Sequence, residues 1–391
     1  MLNINRSNLT PFNKLIMHHV EHNGSSITLL TEKEISNPFL VLKDTFKELS
    51  SAREIHDELF EILTLSIRRN YWMTYKSPLV IYKKYKKLMR LFEAGWLIHK
   101  IRPDFTIAEL ICVPYDQIGL NNGEHKGYQL NNNPLINAYQ IMNDLYNSYS
   151  LNSFRCNLFH MLFEGLMPSC VSYDHEFESY TVTAFQQMTD VISSLHLINQ
   201  HEKDFELSQR DIEVLNTECE EFMEMDTLYD YDSNINDMHW HSKKDDIIQA
   251  IRISKTILNS KGFWKSHSNP ANILYYYHDF LFIIDHYWEH YQLLLDQEID
   301  FNTKWEYPKT EKGQLFKTNY EWIKRPWKFL HDKFEKKSIS EWRIQLELCL
   351  EDVLSNNKIT YRINRQNDDV LNFVEGLLFW KELTKYEPNI F

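Results

Sequence analysis

A chain of 391 residues with a formal net charge of −13 has room for two domains with proper cores, or for one large helical domain. The acidic balance excludes a protein that coats nucleic acid over its whole surface, because phosphate binding needs a local excess of cations; a local basic groove remains open. With only 9 Gly and 11 Pro, and 43% of residues hydrophobic, long elements with few tight turns are expected, and the supply of Leu, Ile, Glu, Lys and Tyr makes the class mainly α.

Residues 1–37 read as an irregular N-terminal segment, in which 25–32 (SSITLLTE) is the best strand candidate because β-branched residues follow a glycine turn. The beginning of the chain has neither a basic start leading into an apolar stretch nor a cleavage site. No run approaches the roughly 18 apolar residues that span a bilayer, so a soluble, cytoplasmic protein without a membrane partner is expected. Five cysteines (Cys112, Cys156, Cys170, Cys219 and Cys349) form no C-x-x-C pair, and their odd number leaves at least one unpaired, which fits a reducing compartment.

Helical periodicity begins after Asn37, with Leu59, Ile62 and Leu63 on one face. Pro78 opens the next helix and Pro103 closes it. Residues 117–134 form a polar loop. Helices resume over 135–149, continue through 150–165 to a break at Pro168, and return over 178–200. Residues 204–240 turn sharply acidic, as a linker or solvated surface segment would. A second helical block, 241–391, carries apolar periodicity over 243–258, 270–297, 339–354 and 368–386. The chain thus divides into an irregular segment (1–37), a helical domain (38–203), an acidic segment (204–240) and a C-terminal helical domain (241–391) of unknown role. No repeat of solenoid length is present.

The sequence SLNSFRCNLFHMLFEG, 150–165, contains the one motif with chemical content. On a helix, Asn157, His160 and Glu164 fall within about 60° of one another while apolar side chains fill nearly all the rest. Arg155 lies about 140° from His160, so the two meet only where a helix starts or where a second subunit closes the site. The string RCNLFH resembles the signature of HEPN-type proteins, helical domains whose catalytic members carry Arg, a polar residue and then His. The resemblance covers about residues 50–200. It implies a HEPN-like helical bundle, a homodimer, and metal-independent cleavage of RNA by 2′-OH attack with no cofactor. On that reading Arg155 stabilises phosphate charge, His160 moves protons and Asn157 orients. It further implies a toxin-like or defence role, as in toxin–antitoxin pairs, with an inhibitory or sensing protein partner. The bland alternative is that Arg155 pairs with a carboxylate such as Asp144 and that His160 is a satisfied core histidine.

Between Arg68 and Arg102, ten cations stand against a single acid, Glu93. Arg68, Arg69, Lys83, Lys84, Lys86, Lys87 and Arg90 are the candidate RNA contacts, with Tyr71, Trp72, Tyr75, Tyr82, Tyr85, Phe92 and Trp96 interleaved for stacking on bases. A solvated helix face is the plain alternative. Asp279, His286 and His290 share about 40° of one helix and form the best metal alternative, although no E-x-x-H or H-E-x-x-H occurs. P-loop and dinucleotide-binding glycine patterns are absent too. The expected activity is therefore a ribonuclease at Arg155 and His160. Its rivals are a non-catalytic helical scaffold or regulator that binds a protein partner, and a metal-binding helical protein.

Overall fold

The computed structural model describes residues 28–47, 52–67, 73, 77–102, 112–114, 135–167, 175–201, 207–224, 270–302 and 325–355, together with most of 369–377. The chain is mainly α and divides into two compact units, Met1–Ile235 and Asn236–Phe391. The expected loop at 117–134 and helix at 243–258 lie outside the described residues.

The described part of the first unit begins at residues 28–31, which do not form the strand expected over 25–32; residues 25–27 lie outside the described residues. Thr31 then caps a short helix, α1 (Glu32–Ser36), through a reciprocal capping box with Glu34, which satisfies two amides that a helix start leaves open. Helices α2 (Phe39–Lys47) and α3 (Ala52–Ile67) follow. α4 (Pro78–Ile101) starts with Pro at its first turn, where no amide is needed. Two three-residue strands, β1 (Cys112–Pro114) and β2 (Leu135–Asn137), pair antiparallel, Val113 opposite Ile136. The helix expected from residue 135 therefore begins three residues later, as α5 (Ala138–Ser148). α6 (Leu151–Leu166) is capped by Ser150, whose hydroxyl accepts from the Ser153 amide. α7 (His175–His201) completes the bundle.

The acidic segment expected at 204–240 contains a helix, α8 (Gln209–Glu224). Ser208 and Asp211 exchange capping hydrogen bonds at its start, and Asp211 is ion-paired to Arg102 at the end of α4. Desolvation opposes the Asp211 charge, but hydrogen bonds from Arg102 and Ser208 outweigh it and hold the carboxyl below its usual range. Charge that looks solvated in one dimension is therefore partly neutralised by a residue from a distant helix.

α4 is the central element: it packs against α1, α2, α3, α5, α6, α7 and α8, and sixteen of its residues are buried. Its carboxyl half, from Leu91 to His99, is buried on every side, as expected of a helix enclosed by others. α3 and α6 pack most closely. At Gly165 an added Cβ would stand 2.8 Å from the Leu65 Cβ and 3.3 Å from its backbone carbonyl carbon, so the absent side chain is what permits the approach.

Among the described residues, the second unit contains α9 (Ala271–Asp296), α10 (Pro326–Phe334) and α11 (Ile339–Leu354), with helical residues again between 369 and 377. α9 packs on both α10 and α11. Its core is aromatic: Trp342 stacks on Phe373, and Phe334 meets Phe373 edge-on. Ser338 and Glu341 form a capping box at the start of α11. Among the described residues, no helix is long and apolar enough to cross a membrane.

Candidate functional site

α6 carries the motif residues, and its own amphipathicity separates them. Arg155 faces the bundle core and is only 4% exposed. Its Nε and Nη2 donate to the Glu93 Oε1 of α4 at 3.0 and 2.8 Å, so its anionic partner is Glu93 and not Asp144. Glu93 is 0% exposed. Its second oxygen, Oε2, accepts from the Leu29 amide at 2.8 Å and the Thr28 hydroxyl at 3.0 Å. Four donors on one carboxylate satisfy a buried charge that would otherwise be costly to desolvate.

His160 lies on the half-buried polar face of α6, with Nε2 3.5 Å from Glu164 Oε1. Asn157, between Arg155 and His160 in sequence, is half-buried. The structure thus brings His160 beside Glu164 and Arg155 beside Glu93, and it gives the two motif ends different neighbours. Cys156 is half-buried; burial pushes its thiol up, with Arg155 only partly opposing the shift, which argues against a thiolate nucleophile.

The basic stripe folds against acids that lie elsewhere in the sequence. Lys84 is paired with Glu61, and Lys87 with Glu58 at 2.8 Å, both from α3. Arg90 is paired with Glu34 of α1. Lys86 sits over the Tyr82 ring, its Nζ 5.9 Å from the centroid, and Lys83 is exposed. Tyr82, Tyr85, Phe92 and Trp96, expected to stack on bases, are core residues with exposures of 6% or less. Tyr71, Trp72, Tyr75, Arg68 and Arg69 lie outside the described residues. A run of cations on one helix can therefore serve as a set of interhelical ties.

Of the alternative metal set, the side chains of Asp279 and His286 lie outside the described residues. His290 stacks on Trp327, and burial pushes its pKa down to about 4. Asp285, on the adjacent stripe, accepts from Arg343 Nε at 2.8 Å. Among the described residues, no three His, Cys, Asp or Glu side chains are grouped as metal ligands.

One polar cluster was not foreseen. His56 of α3 places Nε2 3.2 Å from both the Thr189 carbonyl and the Ser193 hydroxyl of α7, while Ser193 donates to that same carbonyl at 2.9 Å. A carbonyl can only accept, so Nε2 carries the hydrogen and cannot act as a base toward Ser193. The contact pins two helices together. Its sequence signal is faint, since His56 and Ser193 are 137 positions apart.

Burial holds the His56 pKa down at about 4, against the ordinary 6.5. Between those values the unfolded chain takes up a proton that the folded chain refuses, so stability falls as the pH drops through this window and levels off below it. Asp190, raised by burial to about 6 from 3.8, has the opposite sign: stability is lost as the pH rises from about 4 to about 6. The informative quantity is therefore the difference between wild type and His56→Gln in urea unfolding at pH 4.5 and 7. The variant is expected to lose less stability on acidification. Equal losses would place the proton uptake at other groups.

Comparison of the chain with protein-family models, with curated proteins and with solved structures gives no match.

Proposed function

We propose that the chain is a non-catalytic helical scaffold or regulator that works by binding a protein partner. The observation that carries this reading is the pairing of Arg155, Lys84, Lys87 and Arg90 with carboxylates of their own bundle, which takes these four cations away from a phosphate backbone. Apolar surface supports it from the other side. Phe60 of α3 is 56% exposed and Val182 of α7 49%. The Phe60 ring meets Phe185, one helical turn beyond Val182, and Ile67, two turns beyond Phe60, is exposed as well. Apolar residues grouped in this way on a surface commonly mark a protein-binding site.

A photo-crosslinking residue at position 60, in cells expressing the full chain, is expected to capture a discrete partner. Val182→Asp should abolish that capture, and the same probe at the exposed, charged position 43 should not give it. Identical capture from positions 60 and 43 would remove the reading.

The ribonuclease reading stays second, favoured by one observation: His160 is half-buried beside the buried Glu164, a neighbour that can support proton transfer. It would make the chain a HEPN-like dimeric RNase without metal or cofactor, of toxin or defence type. Wild type and His160→Ala incubated with labelled single-stranded RNA in EDTA test it. Cleavage by wild type alone, with 2′,3′-cyclic phosphate ends, would displace the scaffold reading.

A further inference from the structure

The carboxylate of Glu93 is shared between two parts of the molecule that differ in how firmly they are held. Oε1 receives Arg155 from the bundle core, and Oε2 receives Leu29 and Thr28 from the irregular stretch ahead of α1. One turn earlier on α4, Arg90 is paired with Glu34, so residues 28–36 lie along α4 with two polar attachments.

α1 packs lightly on α2, α4 and α8, and residues 28–30 ahead of it are fastened more weakly. Among the described residues, 28–30 make no backbone-to-backbone hydrogen bond. The Leu30 amide bonds only the nearby Thr28 hydroxyl, and Leu30 supplies one buried side chain. α1 has five residues, too few to persist without tertiary support. Arg155 and Glu93, by contrast, sit on long helices within the core. Segments with few buried contacts open with far smaller free energies than core helices do.

We propose that residues 28–36 are a releasable strap, and that its release and the exposure of the Arg155 guanidinium are one event. When Leu29 and Thr28 leave, Oε2 loses both its strap donors and must be hydrated, because a buried carboxylate oxygen stripped of partners is costly. Water admitted at Oε2 reaches the same carboxylate that Arg155 holds through Oε1. The Glu93–Arg155 pair then faces solvent, where its mutual attraction is weaker and the guanidinium is open to an anion. Closed, the strap hides that cation; open, it presents it. This coupling stands whichever reading of function holds.

The test uses the full chain and two variants that loosen the strap without altering Glu93 or Arg155. Thr28→Val removes one donor to Glu93 and the Leu30 acceptor, and Glu34→Gln weakens the tie to Arg90. Hydrogen–deuterium exchange over 28–36 reads release; phenylglyoxal labelling of Arg155, quantified by mass spectrometry with Arg343 as internal control, reads exposure. Losing one such hydrogen bond should raise both by about fivefold in Thr28→Val, with Arg343 labelling unchanged. Fast exchange over 28–36 while Arg155 stays protected would overturn the coupling. Exchange over 28–36 as slow as in α4, in wild type and both variants, would overturn the releasable strap.

Discussion

Arg155→Ala is expected to lower the stability of the first unit by about 3–5 kcal/mol in urea unfolding, the range for breaking a buried ion pair from one side. The cost arises on the acid left behind. Glu93 is 0% exposed and would keep only the Thr28 and Leu29 donors, with Oε1 stripped of both guanidinium bonds. Arg155→Lys should recover only part of the loss, because an ammonium is a point donor and cannot reproduce the Nε and Nη2 geometry. Arg155→Met with Glu93→Leu should recover more, since both charges leave together, but not all: the Leu29 amide and Thr28 hydroxyl would then lack their acceptor. His160→Ala, on the half-buried face of α6, should change stability by under about 1 kcal/mol. Arg155→Ala with wild-type stability would mean that the guanidinium is not the counter-charge of Glu93. The contrast also governs any activity measurement. Loss of activity in Arg155→Ala alone reports on folding, whereas loss in a folded His160→Ala reports on chemistry.

Helix positions were readable in the sequence where local signals sufficed. The bounds expected from Pro78 and Pro103 coincide with α4, and the apolar periodicity over 339–354 coincides with α11, because a fixed φ at proline and a 3.6-residue apolar period act within the segment itself. Capping boxes at Thr31 and Ser208 were equally local, and they start the two helices that the reading of 25–32 as strand and of 204–240 as linker passed over. Charge pairing is another matter. Glu93, counted as the lone acid within a basic stripe, is the partner of Arg155, 62 positions away. Lys84 and Lys87 meet acids 23 and 29 positions off, and Arg102 meets one 109 positions off. A cation's role depends on which helix packs against it, and tertiary packing settles that. Composition along one helix therefore overstates a binding stripe whenever the neighbouring helix carries the complementary sign.

Trp342→Ala is expected to cost the second unit about 3–5 kcal/mol, the range for deleting a large buried aromatic side chain. Its indole is fully buried, with its centroid 4.1 Å from that of Phe373 in a stacked pair. Phe373 in turn meets Phe334 edge-on at 5.4 Å, so the cavity would open where α10, α11 and the helical residues near 373 converge. The Lys337 Nζ lies 4.2 Å from the Trp342 ring centroid while bonded to Asp369 and Gln345, which places a cation over the ring face and ties the start of α11 to the following segment. Trp342→Phe keeps an aromatic face for Phe373 and Lys337. It forfeits part of the buried area, the indole N–H directed at the Lys333 carbonyl and some of the cation–π attraction, which is strongest for tryptophan. The expected order of unfolding midpoints is wild type, Trp342→Phe, Trp342→Ala. A Phe variant as unstable as Ala would show that the indole's full width and N–H, more than aromatic stacking, hold this core together.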